Sequence, residues 1–170
     1  VINGGFEFGS LEPVWTSDGG GVSGVTSGDS ADGDNSAFVA LLFEESVTLT
    51  QQVVFIRGGS TVFCSAFGRT LLPGFSGSFS INIDGVPCAS ATLDTNGQFE
   101  RFSGSLVVEN DVHIITVVLN AQDIQQLSVD AISIVPIAGD QYNQECAPTG
   151  LVPQNCDYRG FSDNFCSCKS

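Results

Sequence analysis

The sequence predicts an all-β sandwich of about eight to nine strands, and three observations carry that expectation. Valine, isoleucine and threonine are abundant alongside 13 phenylalanines, side chains that fit the pleated, half-buried surface of a sheet. Alanine, leucine and lysine nowhere recur at helical spacing for more than a turn, whereas short runs alternate apolar with polar residues. Between those runs stand glycine, asparagine, aspartate and proline, the residues that turns need.

Taken in order, an N-terminal strand comes first. From Ser17 to Asn35 the chain turns to glycine, serine and aspartate, with too little apolar area for a regular element, so this segment reads as a long loop. Gly19-Gly20-Gly21 within it follows no clear strand, precedes no helix and has no lysine nearby, and reads as a flexible connection rather than a phosphate cradle. Strands are then expected over residues 38–43, 47–56, 61–67, 76–83, 86–93, 99–108, 112–119 and 127–135. The turns between them are Arg57-Gly58-Gly59, Leu72-Pro73-Gly74, Asp84-Gly85, Asn96-Gly97 and Asn110-Asp111, of which Asp84-Gly85 is the cleanest hairpin signal. In the run before it, Phe79, Ile81 and Ile83 fall on one face and Ser78, Ser80 and Asn82 on the other. A large apolar side chain contributes roughly 1.5–3 kcal/mol on burial, so such faces supply a core without a ligand. After Pro136 the alternation stops, which divides the chain into a sandwich over 1–137 and an extension over 138–170 expected to fold back along it.

At 170 residues the chain is long enough for one substantial core and too short for two full domains. Its 5 basic and 19 acidic residues give a formal charge of -14, a field that repels phosphate backbones and anionic lipid and excludes nucleic acid as a partner. No run approaches the roughly 18 apolar residues of a membrane helix, so no membrane insertion is expected. Six cysteines, no methionine and a first residue other than Met predict a processed, secreted protein from an oxidising compartment. On that reading a leader is expected to have been removed before Val1, and with no Asn-x-Ser/Thr sequon N-glycosylation is not expected.

Cys64 and Cys88 fall in two expected strands and are expected to pair with each other. Cys146, Cys156, Cys166 and Cys168 belong to the extension and allow three connectivities, a Cys166–Cys168 link being the most strained. Their spacing lacks the paired knuckles of zinc sites, which favours oxidation over metal. The extension's large anchors are Tyr142, Tyr158, Phe161 and Phe165, and the two tyrosines, with Trp15, are the candidate ligand-binding side chains. For Trp15 a core position competes with that role. The lone His113 lies within an apolar strand and has no Gly-x-Ser-x-Gly elbow to serve, so a structural role is expected and a triad is not. Asp29, Asp32, Asp34 and Asn35 gather hard oxygen donors in the long loop without the spacing of an EF-hand.

Asn3-Gly4-Gly5-Phe6-Glu7 followed by Trp15 resembles the opening of carbohydrate-binding-module-like domains of the galactose-binding fold. The resemblance continues through Asp32-Gly33-Asp34-Asn35-Ser36-Ala37-Phe38-Val39-Ala40-Leu41 and Leu49-Thr50-Gln51-Gln52-Val53, and closes on Leu127-Ser128-Val129-Asp130-Ala131-Ile132-Ser133-Ile134. It covers residues 1–137 and implies an antiparallel jelly-roll β-sandwich. It also implies a structural Ca²⁺ between Glu7 and Asp130, with Asp32, Asp34 and Asn35 in the segment that supplies further oxygens. Ala131 departs from the pattern, since relatives usually carry a second acidic residue there.

The functional expectation is a secreted, non-catalytic protein that binds extracellular or cell-wall polysaccharide. Two alternatives stand beside it: a structural or adhesive protein that self-associates, and a small glycan-active enzyme working through carboxylates, for which only their number speaks.

Overall fold

The computed structural model describes residues 4–42, 45–72, 74–121 and 123–137, apart from the side chains of residues 52–55. Tyr142, Tyr158, Cys146, Cys156, Cys166 and Cys168 lie outside the described residues. The described residues form ten strands: β1 (Thr16–Gly19), β2 (Val22–Ser27), β3 (Asn35–Leu41), β4 (Ser46–Phe55), β5 (Thr61–Thr70), β6 (Gly77–Ile83), β7 (Val86–Leu93), β8 (Glu100–Val107), β9 (Val112–Ala121) and β10 (Gln125–Pro136).

Two five-stranded antiparallel sheets result, ordered β1-β4-β9-β6-β7 and β2-β3-β10-β5-β8. Only β2–β3 and β6–β7 pair with their neighbours in sequence; the other connections cross between sheets, as in a jelly roll. The all-β sandwich expected from the sequence is therefore the fold. Alternation explains its core. Leu49, Phe79, Ile81, Ile115, Val117 and Leu119 point inward from one sheet and Val39, Val62, Leu127 and Val129 from the other, all buried.

Each of the eight expected runs coincides with a strand, whereas the N-terminal strand expected before Ser17 is corrected, the described residues 4–14 forming turns and bends. Asp84-Gly85 makes the β6–β7 hairpin with φ of 52° and 80°, the left-handed pair that a primed turn requires. The long loop expected from Ser17 to Asn35 is corrected: it holds β1 and β2. Both are edge strands with largely exposed or half-exposed residues, so backbone pairing to β4 and β3 orders them without apolar area of their own. Gly19-Gly20-Gly21 is likewise a close-packed crossing rather than a slack one. Gly19 and Gly21 have φ of 125° and 92°, and a Cβ on either would collide with the carbonyl oxygens of Ser46 and Ala40.

Cys64 on β5 and Cys88 on β7 form a disulfide with a Cα–Cα distance of 6.0 Å, as expected, and it ties one sheet to the other across the core. Among the described residues no helix is long and apolar enough to cross a membrane.

Candidate carboxylate cradle and binding face

The opening Gly-Gly-Phe-Glu has a separate physical reason at each position. A Cβ on Gly4 would strike the Ile132 carbonyl, because Gly4 lies directly on β10 and its own carbonyl accepts from Ile132 N at 3.0 Å. Phe6 turns left-handed, φ 57°, which drives its ring into the core against Trp15 at 6.0 Å between centroids. Glu7 then projects toward the 31–35 segment. Asp34 N donates to its carboxylate at 3.1 and 3.2 Å, Asn35 N at 3.2 Å and Asn35 Nδ2 at 3.4 Å.

Asp130 meets the same segment from the opposite side. It is 0% exposed, and its Oδ2 accepts from Ala31 N at 2.8 Å and Asp32 N at 2.9 Å, while Oδ1 accepts from Ala131 N at 2.6 Å. Burial pushes the Asp130 carboxyl above the usual carboxylate range and the negative charge of Glu7 adds to that; the three backbone donors act against it. A Cβ on Gly5 would stand 3.8 Å from Glu7 Oε1 and 3.9 Å from Asp130 Oδ1, and one on Gly33 would run into Glu7. The glycines thus keep open a cradle with two carboxylates on its walls. A β-bulge between Asp130 and Ser133 sets Ala131 at φ 49°, a left-handed conformation uncommon for alanine.

The structure brings Glu7, Asp130 and the Asp32–Asn35 segment together, although Asp32 and Asp34 face the carboxylates with their main-chain N–H groups rather than their own carboxylates. Among the described residues no three or more His, Cys, Asp and Glu side chains converge where they could hold a metal ion. The chemistry of the pair still suits one. Both are hard oxygen donors, they repel each other, and a cation between them would neutralise a charge that burial disfavours.

Two buried polar side chains brace the sandwich; sequence reasoning missed Arg69, whereas the structural role expected of His113 is the one it has. Arg69 on β5, 4% exposed, pairs with Asp29, donates to Ser128 Oγ at 3.2 Å and lies 4.7 Å over the Phe99 ring. Since Ser36 Oγ donates to the Asp29 carbonyl at 2.7 Å, this brace fixes the loop that covers Asp130. Its one sequence signal is an arginine at an alternating position of a Phe-rich strand. The second brace is His113, 1% exposed, with Nδ1 2.7 Å from Asp84 Oδ2 and Nε2 3.0 Å from the Ile56 carbonyl.

Trp15 as an exposed ligand-binding platform is corrected: it is 0% exposed, packed on Phe6, because the turn closed by Trp15 N donating to Leu11 O at 2.8 Å directs the ring inward.

A different surface presents itself to a ligand. On the outward face of the sheet β1-β4-β9-β6-β7, cross-strand register lines up three rows: Thr92, Ser78, Asn120 and Ser46; Ser90, Ser80, Val118, Thr48 and Asp18; Asn82, Thr116, Thr50 and Thr16. Their contacts with one another are long, 3.4 Å from Asn82 Nδ2 to Thr116 Oγ1 and 3.5 Å between Ser78 Oγ and Thr92 Oγ1, so their donors and acceptors are open to a partner. Asp18 is the one charge in these rows.

No family model matches this chain, and no curated protein matches it. Solved structures do match its fold. TmCBM61 in complex with β-1,4-galactotriose is 19% identical at a TM-score of 0.60, covering 81% of this chain and 97% of that one. The CBM22-2 xylan-binding domain of Paenibacillus barcinonensis Xyn10C is 18% identical at 0.57, with 79% and 98% covered. A family 16 carbohydrate-binding module is 13% identical at 0.58, with 79% and 98% covered. The described sandwich has the jelly-roll fold of carbohydrate-binding modules.

Proposed function

We propose that the chain is a secreted, non-catalytic carbohydrate-binding module that takes a neutral polysaccharide on the outward face of the sheet β1-β4-β9-β6-β7. The observation that carries this reading is the set of rows of serine, threonine and asparagine on that face. On a molecule of formal charge -14 they form a nearly uncharged field of hydroxyls and amides, and each hydroxyl both donates and accepts, as a sugar hydroxyl does. Similarity in fold to modules described with galactotriose and as xylan-binding supports the same class of ligand. Fold alone does not carry function, so the face has to be tested directly.

Affinity electrophoresis and calorimetry against neutral galactan, xylan and β-glucan, with an acidic polysaccharide as control, provide that test. Binding to a neutral polymer is expected, weakened about five- to tenfold by Thr116→Val, which removes one hydroxyl. Absence of binding to every neutral polymer overturns the reading.

A structural Ca²⁺ held by Glu7 and Asp130 belongs to this proposal. The ion supplies charge neutralisation, and those two carboxylates would hold it together with main-chain oxygens and water. A second reading, self-association, draws on Leu71, Leu72, Phe75 and Ile124. These exposed side chains lie on two loops that the buried Gln125 joins through bonds to Leu72 and Phe75. Light scattering that shows a monomer at all concentrations rules it out.

A further inference from the structure

The strands β1 and β2 lie at the edges of different sheets, so the chain parts at this seam. Between them and the N-terminal turn lies an open cleft of about 520 Å³, within the roughly 300–1,000 Å³ of small-ligand sites. Its polar wall consists of Ser10, Glu12, Ser17 and Ser23, its apolar wall of Leu11 and Val25, and the buried Trp15 underlies it. Ser23 Oγ donates to Ser17 Oγ at 2.8 Å, which links the edges of the two sheets. Ser10 Oγ gives its proton to the Glu12 carbonyl at 2.7 Å and keeps its lone pairs. The Glu12 carboxylate has no hydrogen-bond or ion-pair partner among the described residues.

We infer that this cleft is a separate subsite for a single neutral sugar unit. An anionic ligand would meet Glu12 with no cation in the wall to offset it. A purely apolar ligand would strip water from three hydroxyls and a carboxylate without replacing the lost hydrogen bonds. A sugar ring matches every part: neighbouring hydroxyls donate to the two Glu12 oxygens, others exchange bonds with Ser17 and Ser23, and the C–H face rests on Leu11 and Val25. The cleft meets the sheet face only at Thr16, so it goes beyond the reading above and can stand or fall without it.

The test is ¹H–¹⁵N NMR titration of the full chain with glucose, galactose and xylose, with their methyl glycosides, which stand for a chain end, and with glucosamine as a cationic arm. Saturable shifts confined to the amides of residues 9–12, 16–17 and 23–25 are expected with at least one neutral sugar. A stronger response to the methyl glycoside than to the free sugar identifies a chain end as the source. Glu12→Gln should weaken the response about tenfold by removing a charged acceptor, whereas Thr116→Val should leave it unchanged. No shift at these amides with any neutral sugar overturns the inference, as does a response to glucosamine alone. Shifts in the cleft without retention of any neutral polysaccharide sink the sheet-face proposal and leave the subsite standing.

Discussion

His113 shows how much one residue can carry inside a sheet. Its two ring nitrogens face a carboxylate and a backbone carbonyl, both acceptors, so only the imidazolium satisfies them together. Burial lowers its pKa, but the bonds to Asp84 and Ile56, the charge of Asp84 and the Asn110 backbone outweigh that and hold it above the usual histidine value. For Asp84, burial pulls upward and is overcome by Ile114 N and by the hydrogen bond and charge of His113, leaving it below the usual carboxylate value. The histidine's contribution is therefore complete below its ordinary pKa and is lost as pH rises through the higher folded value; the aspartate's is lost as pH falls through its lower one. Melting temperature should decline from mildly acidic to mildly alkaline pH, and His113→Gln should flatten that decline. Asp130 has the opposite sign for a carboxylate: its folded pKa is raised, so its cost to stability accrues as pH climbs from the ordinary carboxylate value through the folded one. A bound cation would cancel that cost. Calcium at about 100 times its Kd should add roughly 2.7 kcal/mol, or about 5–10 °C in Tm at about 2–4 °C per kcal/mol. Differential scanning calorimetry with calcium and with chelator should show the shift in the native chain and not in Asp130→Asn; no shift in the native chain discards the metal.

At the scale of elements, two places depend on close approach. Gly104 of β8 pairs with Cys64 and lies so near β7 that a Cβ would strike the Cys88 carbonyl. Gly104→Ala should therefore destabilise by about 1–3 kcal/mol, read from urea denaturation, by forcing the disulfide-linked strands apart. The pair Cys64→Ala/Cys88→Ala removes the cross-link and should lose roughly 2–4 kcal/mol. The edge strands explain why the segment from Ser17 to Asn35 misleads when read by composition. Its glycines and serines have little to bury, and its order comes from hydrogen bonds to β3 and β4, partners whose positions no local pattern encodes. The Phe38–Leu41, Ser78–Ile83 and Val112–Leu119 stretches were legible for the opposite reason: alternation there is the direct imprint of one buried face.

For the whole molecule, the charge of -14 concentrates repulsion on a domain with few arginines to offset it. Raising NaCl from about 0.01 to 0.15 M shortens the screening length from roughly 30 to 8 Å, so Tm should rise by a few degrees. A calcium effect that persists at the higher salt is site binding; one that vanishes there is screening.

Alternation and turn residues determined by themselves that this protein is an all-β sandwich and where most strands lie, because each is a local record of burial. The pairing of Cys64 with Cys88 is an expectation from their places in two strands, and the fold decided it by bringing β5 and β7 face to face. Tertiary structure alone decided that Trp15 is core and that Asp29 is engaged with Arg69. It also decided that Asp32 and Asp34 offer amides rather than carboxylates to Glu7 and Asp130, and that scattered serines and threonines form one continuous face. These depend on which side chains from distant strands share a space, and the crossings between sheets fix that, not spacing along the chain.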